Sequence, residues 1–138
     1  MDDEAKIEKE SGCSNVLSIL IADDHALIRQ SLKNTFKQVE GFKVVGEADN
    51  GFDAVKLAQQ LKPDVAILDI SMPGLNGIEA TRIIKKEQPN IIALVLTVHN
   101  DHEHVLSMLG AGADGYLTKN VMAEEIVQAI RSLISFCS

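Results

Sequence analysis

The feature that most constrains the fold is a fivefold alternation, beginning at position 16, of short apolar runs with longer amphipathic stretches. The first and fourth runs are almost uninterrupted Val, Ile, Leu and Ala, and all are too short for buried helices, which favours strands of a parallel sheet. The alternation predicts an α/β domain of five strand–helix units, with helices on both faces of the sheet and right-handed crossovers. The predicted strands are 16–22, 42–48, 65–69, 91–97 and 115–118.

The stretches between the runs carry helical spacing. Ile28, Leu32 and Phe36 recur every four residues, as expected for the buried stripe of an amphipathic helix. Asn50 is a typical N-cap residue and predicts the start of the second helix. Segment 101–109 has few apolar positions, and it is predicted as the fourth helix because the alternation places one there.

Composition limits the function classes. The chain has 138 residues, 46% of them hydrophobic, which suits one packed domain. Its net charge of −7 argues against binding nucleic acid or an anionic membrane, because both need a basic surface. Segment 1–15 holds five acidic residues and two lysines, and we predict a flexible acidic leader there, followed by one domain over 16–138. Since the sequence has neither a secretory signal nor an apolar run of about 18 residues, we expect a cytoplasmic protein.

Polar residues stand where four of the predicted strands end. Asp23 and Asp24 follow the first strand, Asp69 ends the third, Thr97 ends the fourth and Lys119 follows the fifth. Because the carboxyl ends of parallel strands share one edge of the sheet, these side chains are expected to meet. Each alone could be a helix cap or a turn residue, but carboxylates about 4 Å apart repel by roughly 4 kcal/mol per pair at an effective dielectric constant of 20.

A hard divalent cation would offset this repulsion. Mg²⁺ prefers carboxylate and phosphate oxygens, and together with Lys119 and the hydroxyl of Thr97 it would make a site for a phosphoryl group. Phosphoryl transfer needs mainly positioning and charge neutralisation, which such a set supplies. Asp69 is the best-placed nucleophile, because no Ser, Cys or His with a suitable base is predicted at that edge.

Four segments occur in an order and at intervals that resemble the receiver domains of two-component response regulators: IADDHALIR, VAILDISMPGLNGIEA, LVLT and GADGYLTK. The resemblance covers about 16–133. It implies the flavodoxin-like doubly wound fold with strand order 2-1-3-4-5. ADDHALIR and GIEATR look most like the subfamily whose receivers control LuxR/NarL-type helix-turn-helix domains.

The resemblance assigns a phosphoacceptor and a metal site. Asp69 stands at the position of the phosphorylated aspartate. Asp23 and Asp24 match the acidic pair that binds Mg²⁺, with Asp24 as the direct ligand and Asp23 acting partly through water. Ser71 falls where a backbone carbonyl completes the metal site.

The resemblance also assigns switch residues. Thr97 matches the switch hydroxyl, Lys119 the phosphate-contacting lysine and Tyr116 the aromatic that swings inward on activation. Ser71 and His99 are expected to tune dephosphorylation. Asn120 replaces the proline that many receivers carry after the lysine, so the preceding peptide bond is either cis, at a cost of about 3 kcal/mol, or trans.

A receiver of this kind takes a phosphoryl group from a sensor histidine kinase onto Asp69 and is not a multi-turnover enzyme; it catalyses its own phosphorylation and dephosphorylation. The expected output is transcription, through a helix-turn-helix domain outside these 138 residues, with no nucleic-acid binding by this segment. A homodimer or an output domain would contact helices 1 and 5, or the face of helix 4, strand 5 and helix 5. Val127 and Ile134 are candidate contact residues on helix 5.

Alternatives remain at this point. A stand-alone receiver in a phosphorelay would carry the same residues. A haloacid-dehalogenase-like phosphatase needs a second acid two residues after its nucleophile, where this chain has Ser71. An interaction module that has lost phosphorylation is disfavoured because every site residue is present. The G-x-G-x-x-G match over 110–115 follows a helix and precedes a strand, which predicts a tight turn and not a dinucleotide site.

Overall fold

The computed structural model describes residues 16–97, 102–119, 121 and 123–134. The predicted leader over 1–15, the residue His99 and the peptide bond between Lys119 and Asn120 lie outside the described residues. In the described part of the chain, no helix is long and apolar enough to cross a membrane.

Strands and helices alternate five times along the chain. All neighbouring strands are parallel, in the order β2-β1-β3-β4-β5, which confirms the predicted architecture. The first and fourth strands begin one residue later than predicted, and the fourth helix is displaced by one residue at each end. The elements are β1 (Leu17–Ala22), α1 (Ala26–Gln38), β2 (Phe42–Ala48), α2 (Gly51–Leu61), β3 (Val65–Asp69), α3 (Gly77–Glu87), β4 (Ile92–Thr97), α4 (His102–Gly110), β5 (Gly115–Thr118) and α5 (Ala123–Ile134).

Helices cover both faces of the sheet. Successive residues of β4 point to opposite faces: Leu94 and Leu96 pack in the core beneath α1 and α5, whereas Ala93 packs with α2 and α3 and Val95 with α4. Every residue of β3 is buried because this strand is central, while the edge strands β2 and β5 are only partly covered. The apolar runs of β1, β3 and β4 thus reflect burial on two faces.

The expectation for Val127 is wrong. Its side chain is 3% exposed and belongs to the core with Ile126 and Ile130. Positions 126, 127 and 130 of the helix therefore all face the core, because α5 presents a broad apolar stripe and not a narrow one. Ile134 also packs against this core, being partly buried. Val127 is therefore not available to a contact face on α5.

The connection from β3 to α3 brings backbone close to the carboxyl edge. The Gly77 amide donates to the carbonyl oxygen of Ile70 at 3.0 Å, and a Cβ at Gly77 would lie 2.1 Å from the carbonyl oxygen of Asp69. Gly74 adopts φ +75°, the left-handed region that glycine enters without strain. Only a residue without a side chain fits at Gly77, so α3 begins directly against the end of β3.

Helix boundaries follow the predicted local chemistry. The Asn50 side chain accepts a hydrogen bond from the Asp53 amide at 2.8 Å, confirming it as the N-cap of α2. Between α4 and β5 the Ala113 amide donates to the carbonyl of Met108 at 3.0 Å, and Gly112 has φ +99°. The glycine-rich segment is therefore a helix-to-strand turn, as predicted.

Candidate metal centre

Two buried carboxylates and one lysine meet at the carboxyl edge of the sheet. Asp23 and Asp69 are both 0% exposed, and the Lys119 side chain is 9% exposed. The Nζ of Lys119 lies 3.1 Å from Oδ2 of Asp23 and 2.9 Å from Oδ2 of Asp69. These residues follow or end β1, β3 and β5, so the parallel topology gathers them from distant parts of the sequence.

The electrostatics of Asp69 are set by its burial. Loss of hydration is the largest influence and raises the pKa of the Asp69 carboxyl, and the charge of Asp23 acts in the same direction. The ammonium of Lys119 and the amide of Ser71, which donates to Oδ1 of Asp69 at 3.1 Å, oppose this rise in the pKa. The charged form of Asp69 therefore depends on positive charge close to it.

His25 also belongs to this cluster, although the sequence analysis did not select it. Its Nδ1 lies 2.9 Å from Oδ1 of Asp23 and 3.1 Å from Oδ1 of Asp24. The His25 amide donates to the same Oδ1 of Asp23 at 2.8 Å, so Asp23 shapes the turn into α1 without capping the helix itself. The only sequence signal for His25 was its place directly after the two acids.

Arg29 is a second residue that sequence analysis missed. Its guanidinium donates to the backbone carbonyl of Asp23 and to Oε1 of Glu47 on β2. Lys33 reaches the other carboxylate oxygen of Glu47 at 2.8 Å. These contacts tie the loop after β1 to α1 and to the edge strand, and nothing in the sequence pattern marked them.

The cluster fits a divalent cation. Asp23, Asp24, His25 and Asp69 each place one possible ligand atom within 4.8 Å of the others. Oδ2 of Asp23 and Oδ2 of Asp69 are buried, and neither accepts a well-aligned hydrogen bond from any described residue, despite the ion-pair distances to Lys119. Buried carboxylate oxygens without hydrogen-bond partners are costly unless a cation binds them.

Three other predicted residues, Thr97, Ser71 and Tyr116, lie on or directly after the strands that lead to this cluster. Thr97 is buried at the end of β4, where its carbonyl accepts a hydrogen bond from the Lys119 amide at 2.7 Å. Ser71 is exposed and lies two residues past Asp69. Tyr116 is 36% exposed on β5, paired in register with Val95. The structure thus brings the three aspartates and Lys119 together, with Thr97 beside them and Tyr116 on the strand that leads to Lys119.

Comparison with known proteins identifies the family. Residues 19–131 match the family described as "Response regulator receiver domain". The chain is 43% identical over 120 residues to the response regulator GacA of Pseudomonas aeruginosa, covering 87% of this chain and 56% of that protein. It is 41% identical over 120 residues to the response regulator UvrY of Escherichia coli K12, covering 87% of this chain and 55% of that protein. The chain therefore spans about half the length of these relatives.

Solved structures agree with this assignment. A two-component response regulator of the LuxR family from Aurantimonas superposes with a TM-score of 0.81 at 33% identity, over 87% of this chain and 86% of that one. A LuxR-family DNA-binding response regulator from Staphylococcus aureus gives a TM-score of 0.82 at 32% identity, over 86% and 99% of the two chains. Together with the match over 19–131, these likenesses show that the chain belongs to the response regulator receiver domain family.

Proposed function

We propose that this chain accepts a phosphoryl group from a phosphohistidine of a sensor histidine kinase onto Asp69. The observation that carries the proposal is the arrangement of two fully buried carboxylates around one nearly buried lysine, whose single ammonium lies within ion-pair distance of an Oδ2 atom on each carboxylate. Such a site has a nucleophile and a cation in contact, and a second cation would neutralise the remaining charge. Family membership supports the same function.

The cation is proposed to be Mg²⁺. Asp24, Asp69 and the backbone carbonyl of Ser71 would hold it, with Asp23 contributing through water, and it would neutralise oxygens of the incoming phosphoryl group. Carboxylates, a carbonyl and waters are the ligands that this ion prefers. Asp24 suits a direct contact because it is the most exposed of the three acids, at 34% of its side chain.

The transfer exchanges one bond to phosphorus for another. A carboxylate oxygen of Asp69 attacks the phosphorus, the bond from phosphorus to the kinase imidazole nitrogen breaks, and its electron pair stays on that nitrogen. Lys119, already 2.9 Å from Asp69, binds an oxygen of the transferred group. The hydroxyl of Thr97 donates a hydrogen bond to another oxygen of the product. An acyl phosphate on Asp69 results.

The product is proposed to act as a switch. Movement of Thr97 toward the phosphoryl group would let Tyr116 turn inward and would change the face formed by α4, β5 and α5. That face, or the surface of α1 and α5, would then bind a second copy or an output domain. The likeness to response regulators of the LuxR family supports transcription as the output.

Mass spectrometry tests the phosphoacceptor. Incubation with acetyl phosphate and Mg²⁺ is expected to add one phosphoryl group to the wild-type chain and none to Asp69→Asn. The variant Asp49→Asn, at an exposed aspartate beside β2, is the matched control and is expected to gain the group normally. A chelator should abolish the gain. Persistent phosphorylation of Asp69→Asn would refute the assignment, and many turnovers of phosphate release from a simple monoester would favour a phosphatase.

Dephosphorylation gives a second prediction. We expect Ser71→Ala and His99→Ala to change the half-life of the phosphorylated protein, because Ser71 lies two residues past Asp69 and His99 lies two residues past Thr97. The decay is followed by mass after the phosphodonor has been removed, with wild type measured in parallel. Half-lives equal to that of wild type in both variants would remove this role.

A further inference from the structure

The imidazole of His25 faces the same space as the carboxylates of the proposed metal site. Its Nδ1 lies 2.9 Å from Asp23, 3.1 Å from Asp24 and 3.1 Å from Nζ of Lys119. The residue is the N-cap of α1, yet its side chain makes no capping hydrogen bond. An N-cap side chain ordinarily accepts from the first turn of the helix, so the imidazole is not used for helix stability here.

Nδ1 of His25 changes which metal ions the ligand set prefers. Carboxylate, carbonyl and water oxygens suit Mg²⁺, whereas imidazole nitrogen suits Zn²⁺ and the neighbouring transition metals. The ligand atoms of Asp23, Asp24, His25 and Asp69 lie within 4.8 Å of one another, whereas two ligands at about 2.0–2.2 Å from one ion are at most about 4.4 Å apart. Small side-chain adjustments would bring a nitrogen and several oxygens onto a single ion.

A second observation points to a cation at this position. Oδ2 of Asp23 and Oδ2 of Asp69 are buried and share one ammonium, that of Lys119, at 3.1 Å and 2.9 Å. Both side chains are fully buried and belong to the same four-residue cluster as His25, so one ammonium serves two buried carboxylates there. Two of the carboxylates that an ion would bind are therefore already desolvated, and the His25 side chain in contact with Asp23 is 56% exposed.

We propose that His25 is a nitrogen ligand that lets the aspartate cluster bind a borderline divalent cation, represented by Zn²⁺, in competition with Mg²⁺. The inference deepens the proposed function, since the two ions share Asp24 and Asp69, and Zn²⁺ would exclude the Mg²⁺ that phosphoryl transfer needs. One ion binds at a time. The preference between the two ions depends on His25, because the oxygen ligands are common to both.

The test compares Zn²⁺ and Mg²⁺ affinities by calorimetry in a variant from which the other histidines and both cysteines have been removed. The chain has four histidines and two cysteines, and thiolates and imidazoles bind Zn²⁺. The background therefore carries Cys13→Ser, Cys137→Ser, His99→Ala, His102→Ala and His104→Ala, so His25 is the only histidine left. His25→Asn in this background is the key variant, because Asn keeps a good N-cap residue before α1. Asp24→Asn is the control that removes a ligand shared by both ions.

Removing a residue that only hydrogen-bonds to a metal ligand typically lowers metal affinity by about 10- to 100-fold. Removing a ligand itself should lower metal affinity by at least as much. We expect His25→Asn to lower the ratio of Zn²⁺ affinity to Mg²⁺ affinity by at least about tenfold. Asp24→Asn should weaken the binding of both ions. The nitrogen-15 signals of the His25 imidazole should shift when Zn²⁺ is added, and excess Mg²⁺ should reverse the shift. His25→Asn is also expected to lower the ratio of Zn²⁺ affinity to Mg²⁺ affinity when it is made in the chain that keeps its other histidines and its cysteines.

An affinity ratio that His25→Asn leaves unchanged, or imidazole signals that Zn²⁺ does not move, would overturn the inference. These outcomes are separate from the test of the proposed function. If the ratio depends on His25 but acetyl phosphate adds no mass, the phosphoacceptor proposal alone fails. If phosphorylation proceeds with Mg²⁺ but Zn²⁺ never contacts His25, this inference alone fails.

Discussion

At the carboxyl edge of the sheet, the buried charges of Asp23 and Asp69 depend on each other and on Lys119. Asp23 and Asp69 are both fully buried, and the single ammonium of Lys119 lies between them. One positive charge does not balance two carboxylates, and loss of hydration is the main reason why the pKa of Asp69 is raised. Asp69 therefore destabilises the folded chain when it is charged and no other cation binds, as is common where a residue is placed for chemistry.

This imbalance predicts that Asp69→Asn stabilises the fold in the presence of a chelator. A carboxyl whose pKa is higher in the folded than in the unfolded chain lowers stability at all pH values above its folded pKa. That penalty shrinks as the pH falls through the folded pKa toward the unfolded value. The gain from Asp69→Asn should thus be largest at neutral pH and disappear in acid. Thermal unfolding at several pH values measures it, with Asp49→Asn as control; a variant less stable than wild type at neutral pH would contradict the prediction.

At the scale of elements, the contact between β3 and α3 determines where Asp69 sits. The first residue of α3, Gly77, lies against the carbonyl of Asp69, where a Cβ would approach to 2.1 Å. Asn76 caps the helix by accepting from the Glu79 amide at 2.9 Å. A side chain at the first position would push α3 away from the strand, or the end of the strand away from Lys119.

Replacing glycine by alanine at positions 77 and 110 should therefore change the stability of the fold in opposite directions. Gly77→Ala is expected to destabilise the chain by about 1–3 kcal/mol, the usual cost of overpacking a rigid contact. Gly110→Ala, at the end of α4, meets nothing within 4 Å and should stabilise by up to about 1 kcal/mol through better helix propensity. Urea unfolding of both variants gives the comparison. Equal effects of the two substitutions would show that the contact with Asp69 is unimportant.

At the scale of the whole molecule, one edge strand joins the site to the surface. Tyr116 lies on β5, which leads directly to Lys119, and the Lys119 amide is held by the carbonyl of Thr97. Among the described strands, β5 pairs only with β4 and is the last strand of the sheet. Displacement of Thr97 or Lys119 by a phosphoryl group would thus reach Tyr116 through a strand that is constrained on a single side.

Tyrosine fluorescence can report this change, because the chain has one tyrosine and no tryptophan. Tyr116 is 36% exposed here, so a soluble quencher should reach its ring. If phosphorylation turns the ring inward, quenching by acrylamide should decrease after acetyl phosphate and Mg²⁺ are added. Asp69→Asn is the control and should show no change. Equal quenching of the phosphorylated and unmodified wild-type protein would argue against movement of Tyr116.

Local composition was enough to predict the strands and the residues at their ends. The runs of β1, β3 and β4 are apolar because both of their faces are buried, so their bounds differ from the prediction by at most one residue. Val127 was misjudged because the rotation of α5 about its axis depends on how the helix packs, which periodicity does not specify. His25 was missed because its backbone position is a helix start, and only the side-chain direction places it at the cluster.

The linear pattern of residues was enough to predict the five strand–helix units, the family resemblance, and the strand ends that carry Asp23, Asp69, Thr97 and Lys119. Hydrophobic periodicity and strand termini are local properties, so a linear sequence contains them. The packing of distant segments places Lys119 between two desolvated carboxylates, His25 beside them, and Gly77 against Asp69. Those facts depend on distances between segments far apart in the chain, and chain packing alone sets such distances.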